Sequence, residues 1–117
     1  MGHIREKARL YSHGSLLEET ALVDTGSTSV ILPKDAAEKL GVQAQGKMEV
    51  ELANGEVHKV DYGVIEVEIA GRRAPVIAAI VKGGEVCVGV EALERLGLAV
   101  DPTDGRIYPT RRFVTRL

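Results

Sequence analysis

Aromatic residues are almost missing from this chain: three Tyr, one Phe and no Trp among 117 residues. Its core must therefore be built from Val, Ile, Leu and Ala. No apolar run approaches the roughly 18 residues that cross a bilayer. The opening Met1-Gly2-His3-Ile4-Arg5-Glu6-Lys7 has no apolar signal region, so the expectation is a soluble, cytoplasmic protein with no membrane partner. One cysteine, Cys87, excludes an internal disulfide framework. Within Glu85-Val86-Cys87-Val88-Gly89 it reads as a small buried hydrophobe, because a nucleophilic thiol needs a basic neighbour. His3, His13 and His58 are scattered without metal-ligand spacing, so neither a metal nor another cofactor is expected. The net charge of −2 lacks the basic excess of a nucleic-acid binder. Arg111, Arg112 and Arg116 form a small basic cluster, read as a solvated tail with an acidic-partner site as the alternative.

What is present is punctuation. Gly and turn residues recur at short intervals, which predicts a mainly β chain of short strands, and the length suits one domain. Ser12-His13-Gly14-Ser15 reads as a turn, and Leu16 to Val23 as the strand after it. Val30-Ile31-Leu32 is β-branched and apolar. Pro33 to Gly41 predicts a short helix, with Pro in the first turn and Gly at the C-terminal cap. Met48, Val50 and Leu52 alternate with charged residues, the period of a half-buried strand. Asn54-Gly55 then signals a hairpin, on the premise that both turn positions take positive φ. Val57 to Val60 is the return strand. Apolar parity switches between Val64 and Ile65, which predicts a bulge there. Gly71-Arg72 is the next expected turn. Val76 to Val81 predicts a strand buried on both faces, Ala92 to Leu96 a second short helix, residues 101–105 a turn and residues 106–108 a last strand.

One segment carries chemistry: Ala21-Leu22-Val23-Asp24-Thr25-Gly26-Ser27-Thr28-Ser29-Val30-Ile31-Leu32-Pro33. A bare Asp-Thr-Gly is weak evidence, since Asp and Gly both favour ordinary turns. Here apolar strands flank it on both sides and would draw the loop into the structure. A carboxylate held there is costly unless it is paired or hydrogen-bonded. That cost points to a functional Asp24.

The segment resembles the active-site motif of retroviral-type aspartic proteases, the retropepsin-like family, in which an apolar pair precedes Asp-Thr/Ser-Gly-Ala/Ser. The resemblance extends over roughly residues 4 to 109, leaving 110–117 as a tail. Asn54-Gly55 falls near the tip of the family's flap. Val86-Cys87-Val88-Gly89 with Leu93, Leu96 and Gly97 is similar to its apolar-apolar-Gly loop and C-terminal helix. The resemblance implies a single-domain closed β-barrel with a flap hairpin and one or two short helices, assembled as a symmetric homodimer. It implies an aspartic endopeptidase acting on extended polypeptide. Two carboxylates would share one proton there and titrate as a pair, as aspartic-protease dyads generally do. The chain has one Asp-Thr-Gly, and Thr103-Asp104-Gly105 has the wrong order, so the second Asp24 must come from another copy. Family analogy gives Thr25 a hydrogen bond across the dimer axis, Gly26 the tight backbone, and Ser27 a hydrogen bond to Asp24. It places Leu22, Ser27, Thr28, Ser29, Ala53, Asn54, Gly55, Val88 and Gly89 against substrate. The chain departs from viral members in carrying hydroxyl residues at 27–29, and Val90-Glu91 after Gly89 where Arg is frequent. A non-catalytic peptide-binding or dimerisation module on the same fold is the alternative.

Overall fold

Every second residue of the long strands is enclosed, and that alternation builds the molecule. The computed structural model describes residues 3–114; Met1, Gly2 and Arg116, which entered the sequence reading, lie outside them. Strands β1 (His3–Ser12) and β2 (Ser15–Asp24) form an antiparallel hairpin. Its turn is His13-Gly14, with φ of 48° and 80°. This left-handed pair matches the twist of the flanking strands. β3 (Val30–Pro33) leads directly into α1 (Lys34–Leu40). β4 (Gly46–Glu51) and β5 (Val57–Ile69) make a second hairpin, and β6 (Arg72–Val81) runs back along β5. β7 (Cys87–Val88) precedes α2 (Val90–Leu96). β8 (Leu98–Asp101) and β9 (Arg106–Pro109) form a separate two-stranded sheet.

The main sheet has the order β1-β2-β7-β3-β6-β5-β4. β1 also pairs with β5 through Arg9↔Glu68, Leu10↔Val67 and Tyr11↔Glu66, so all of these strands except β4 close into a ring. Inside the ring lie alternate residues of each strand: Leu10 from β1, Val23 from β2, Leu32 from β3, Ile65 and Val67 from β5, Val76 from β6. Ala37 and Leu40 of α1, and Leu93 and Leu96 of α2, join the same core. Among the described residues no aromatic ring is buried, as the composition requires. Both helices end in a left-handed glycine, Gly41 at φ 68° and Gly97 at φ 67°, where a side chain would be strained.

Leu10 sits where the ring closes, fully enclosed and paired with Leu17 on one side and Val67 on the other. Leu10→Ala is expected to cost about 2–5 kcal/mol, through lost burial and a cavity that strands locked in register cannot fill. A urea midpoint within error of wild type would contradict this.

Several local expectations are corrected. No bulge interrupts β5: its register with β6 runs unbroken from Asp61↔Ile80 to Ile69↔Arg72. The parity switch arises because β5 leaves the ring. Gly63, Ile65, Val67 and Ile69 face the core, whereas Val60 and Tyr62 pair with Met48 and Gly46 of β4 and present the other face. Val64, on that second face, is 44% exposed. Likewise β6 is not buried on both faces, since Ile77 is 45% exposed. The β5–β6 turn is Ala70-Gly71, with φ of 54° and 78°, one residue earlier than expected. α1 begins after Pro33, which has extended ψ, and α2 begins two residues before Ala92.

Candidate active site

Asp24 is the last residue of β2, and Thr25-Gly26 turn the chain back toward β3. Asp24 is half-buried. The Gly26 N–H donates to Asp24 Oδ1 at 2.9 Å, and the Ser27 N–H donates to the Asp24 carbonyl at 3.0 Å. Gly26 also keeps clearance: a Cβ there would lie 3.2 Å from Asp24 Oδ1. The Ser27 hydroxyl donates instead to the Ser29 carbonyl oxygen, at 3.3 Å. The turn brings that carbonyl within reach, so the main-chain N–H of Gly26 takes the role expected of Ser27.

The loop rests on the chain around β7. This two-residue strand lies between β2 and β3, parallel to β2 through Leu22↔Cys87 and antiparallel to β3 through Ile31↔Cys87. The Leu22 N–H donates to the Val86 carbonyl at 2.9 Å. Beyond β7, the N–H groups of Val90 and Glu91 donate to the carbonyls of Ser27 and Thr28 at 2.8 and 3.0 Å. α2 thus starts by holding the loop after Asp24. Gly89 makes this contact possible. Its φ of −92° suits any residue, but a Cβ would come within 2.5 Å of Ser27 O and 2.6 Å of Ser29 O.

A cleft of about 830 Å³ opens in front of Asp24. Gly26, Ser27, Thr28, Ser29, Ile31 and Cys87 form its floor, and β4 with Leu52 and Ala53 forms the opposite wall. The β4–β5 hairpin is closed by Leu52 N–H to Glu56 O and Gly55 N–H to Leu52 O, at 2.8 and 2.9 Å. Only Gly55, at φ 88°, is left-handed in this turn; Asn54 is not, and its side chain instead accepts the Glu56 N–H at 2.9 Å. The loop is therefore the three-residue kind, a turn followed by one left-handed glycine.

Of the residues predicted to meet substrate, Ser27, Thr28, Ser29 and Ala53 line this cleft with Asp24. Asn54 and Gly55 lie at the exposed hairpin tip. Leu22 is half-buried beside Cys87, while Val88 and Gly89 are enclosed beneath the loop. Thr25 is exposed and borders a different depression, of about 530 Å³, with Val90, Leu93, Leu98 and Val100. Sequence reasoning passed over Met48, Val50, Ile31 and Cys87 as lining residues. For Met48 and Val50 the alternation was the available signal. For Cys87 there was none, because its place depends on pairing with strands more than fifty residues away.

Cys87 is 9% exposed. Burial pushes its thiol above the ordinary value, the Asp24 charge pushes it further, and Ser27 offsets part of the rise. The thiol is expected to stay protonated at neutral pH and to alkylate slowly. Removing the Asp24 charge lowers the thiol's pKa, so Asp24→Asn should move the iodoacetamide rate profile to lower pH. A wild-type profile at or below that of glutathione measured alongside would contradict the placement.

No helix among the described residues is long and apolar enough to cross a membrane. The family model described as aspartyl protease matches residues 13–98, and the chain belongs to that family, within the retropepsin-like clan. No match was found among curated proteins.

Proposed function

We propose that the chain is one protomer of a homodimeric aspartic endopeptidase, with Asp24 of each copy forming the catalytic pair. The observation that carries this reading is a half-buried Asp24, held by the Gly26 N–H, at the floor of a cleft walled by a hairpin. The other carboxylates bordering that cleft, Glu49 and Glu51, sit exposed on β4. Asp104 is turned to its own loop, where it accepts the Arg106 N–H at 3.1 Å. A second copy related by a two-fold axis supplies the missing carboxylate without further sequence. Thr25 and the apolar depression around Leu98 would face that copy, closing the ring into the family's barrel dimer.

In the reaction, one carboxylate takes a proton from water as its oxygen attacks the scissile carbonyl carbon. The other donates its proton to the carbonyl oxygen. The first carboxylate then gives the proton it took to the amine nitrogen, a diol hydroxyl returns a proton to the second, and the C–N bond breaks to leave an acid and an amine. Extended polypeptide would lie between the floor and the flap, against Leu22, Ser27, Thr28, Ser29, Ala53, Asn54 and Gly55, with Val88 and Gly89 supporting the loop from beneath.

Because each site needs two chains, specific activity on an unfolded protein should fall as the enzyme is diluted. Sedimentation should show a species twice the 12.6 kDa chain at the concentrations that are active. Activity proportional to concentration down to a purely monomeric sample would overturn the dimer.

A further inference from the structure

The cleft does not end at the catalytic loop. Ser29, on its floor, also borders a smaller hollow with Val30, Ile77 and Arg95. Arg95 in turn borders a groove of about 370 Å³ lined also by Arg73, Pro75, Arg111 and Phe113. Ser29 and Arg95 are each common to two of the three depressions, which therefore adjoin in series as a track past the exposed Ile77.

Charge changes sign along the track. Among the described residues lining the cleft, Glu49 and Glu51 on β4 carry exposed negative charge. The far groove is bordered by three arginines, and no carboxylate lines it among the described residues. These arginines are differently committed. Arg73 pairs with Glu66 and stacks on Tyr11. Arg111 caps α2, donating to the carbonyls of Glu94 and Arg95 at 3.1 Å each. Arg72 does the same for Leu96 and Gly97 at 3.0 Å, with its guanidinium 5.4 Å from the Phe113 ring centre. Arg111 is therefore not simply solvated: it docks on α2 and, with Phe113, borders the groove. Arg95 is exposed and makes no side-chain hydrogen bond or ion pair among the described residues. Glu91 is the one carboxylate on the intermediate hollow.

We infer that this track binds the flanking part of the substrate polypeptide and selects an acidic segment outside the residues around the scissile bond. Carboxylates are disfavoured beside Glu49 and Glu51 and favoured beside Arg95 and Arg111 by simple charge complementarity. The apolar step at Ile77 and the Phe113 wall suit an aliphatic or aromatic residue just before the acids. In a two-fold dimer the track occurs twice, so either end of the substrate can use it. The inference takes its substrate from the peptidase reading, but the binding it asserts is independent of turnover.

The test uses one cleavable core peptide, extended at either end by a spacer ladder that ends in Glu-Glu, Gln-Gln or Lys-Lys. At low salt one spacer length should raise kcat/KM for Glu-Glu over Gln-Gln about fivefold or more, mostly through KM. Lys-Lys should fall below Gln-Gln. The ratio should approach one at about 0.5 M salt, where charges a few Å apart are screened. Arg95→Gln should bring it to near one, and Arg95→Glu should invert it. A ratio of one at every spacer length, or one unchanged in both variants, overturns the inference. Fluorescence anisotropy of the labelled Glu-Glu peptide on Asp24→Asn protein reads the same surface without catalysis. Adding Arg95→Glu should weaken that binding at least fivefold, and equal binding overturns it. Absence of any cleavage by wild type with this binding difference intact would remove the peptidase reading alone.

Discussion

Asp24→Asn is expected to lower kcat/KM on an unfolded protein by at least about 10³-fold, with fold and association unchanged. General acid–base catalysis by a positioned carboxylate contributes about 10²–10⁴-fold, and in the proposed dimer one substitution removes both catalytic groups. The asparagine keeps the size of the side chain, and its amide oxygen can still accept the Gly26 N–H that now bonds Asp24 Oδ1 at 2.9 Å. What it loses is the charge and the transferable proton. Thermal midpoint and sedimentation therefore act as controls that should not move. Residual cleavage above a few per cent of wild type would remove the catalytic assignment. A wild-type protein that binds extended peptide without cleaving it would favour the non-catalytic module.

Gly89→Ala is expected to damage stability and activity together. The new methyl group would meet backbone on three sides: Ser27 O at 2.5 Å, Ser29 O at 2.6 Å and Thr28 C at 2.7 Å. None of these is the movable end of a side chain. Either β7 or the loop after Asp24 must shift, at about 3 kcal/mol for overpacking of this kind. A displacement approaching 1 Å beside a catalytic group can itself cost about 10²-fold in rate. The Val90 and Glu91 N–H bonds to that loop would lengthen with it. Denaturant unfolding and peptide cleavage should both report the change. Wild-type values in both would mean that Gly89 is not the support of the loop.

The turn at Asp24-Thr25-Gly26 was legible because polar, turn-favouring residues there interrupt two apolar strands. Gly41 and Gly97 were legible as helix ends, since left-handed φ is a demand on a single residue. His13-Gly14 was legible as a turn for the same reason. The scarcity of aromatics likewise settled the chemistry of the core.

Features set by distant pairing were not legible. The apolar parity of residues 60–69 suggested a bulge, but β5 simply passes from the ring into the hairpin with β4, changing partners while keeping one register. Asn54-Gly55 announced a turn, yet its type followed from where Leu52 and Glu56 meet. Gly89 and Gly55 look alike in sequence. One is required by its φ of 88°, the other by the carbonyls of Ser27 and Ser29 packed against it, and no local rule separates these reasons. By itself the sequence determined the residues that must turn, cap and bear charge, because those demands act within a few peptide units. Only the tertiary structure decided that Cys87 faces Asp24, that Gly89 supports its loop and that Arg111 returns to cap α2, because each depends on segments brought together by closure of the sheet.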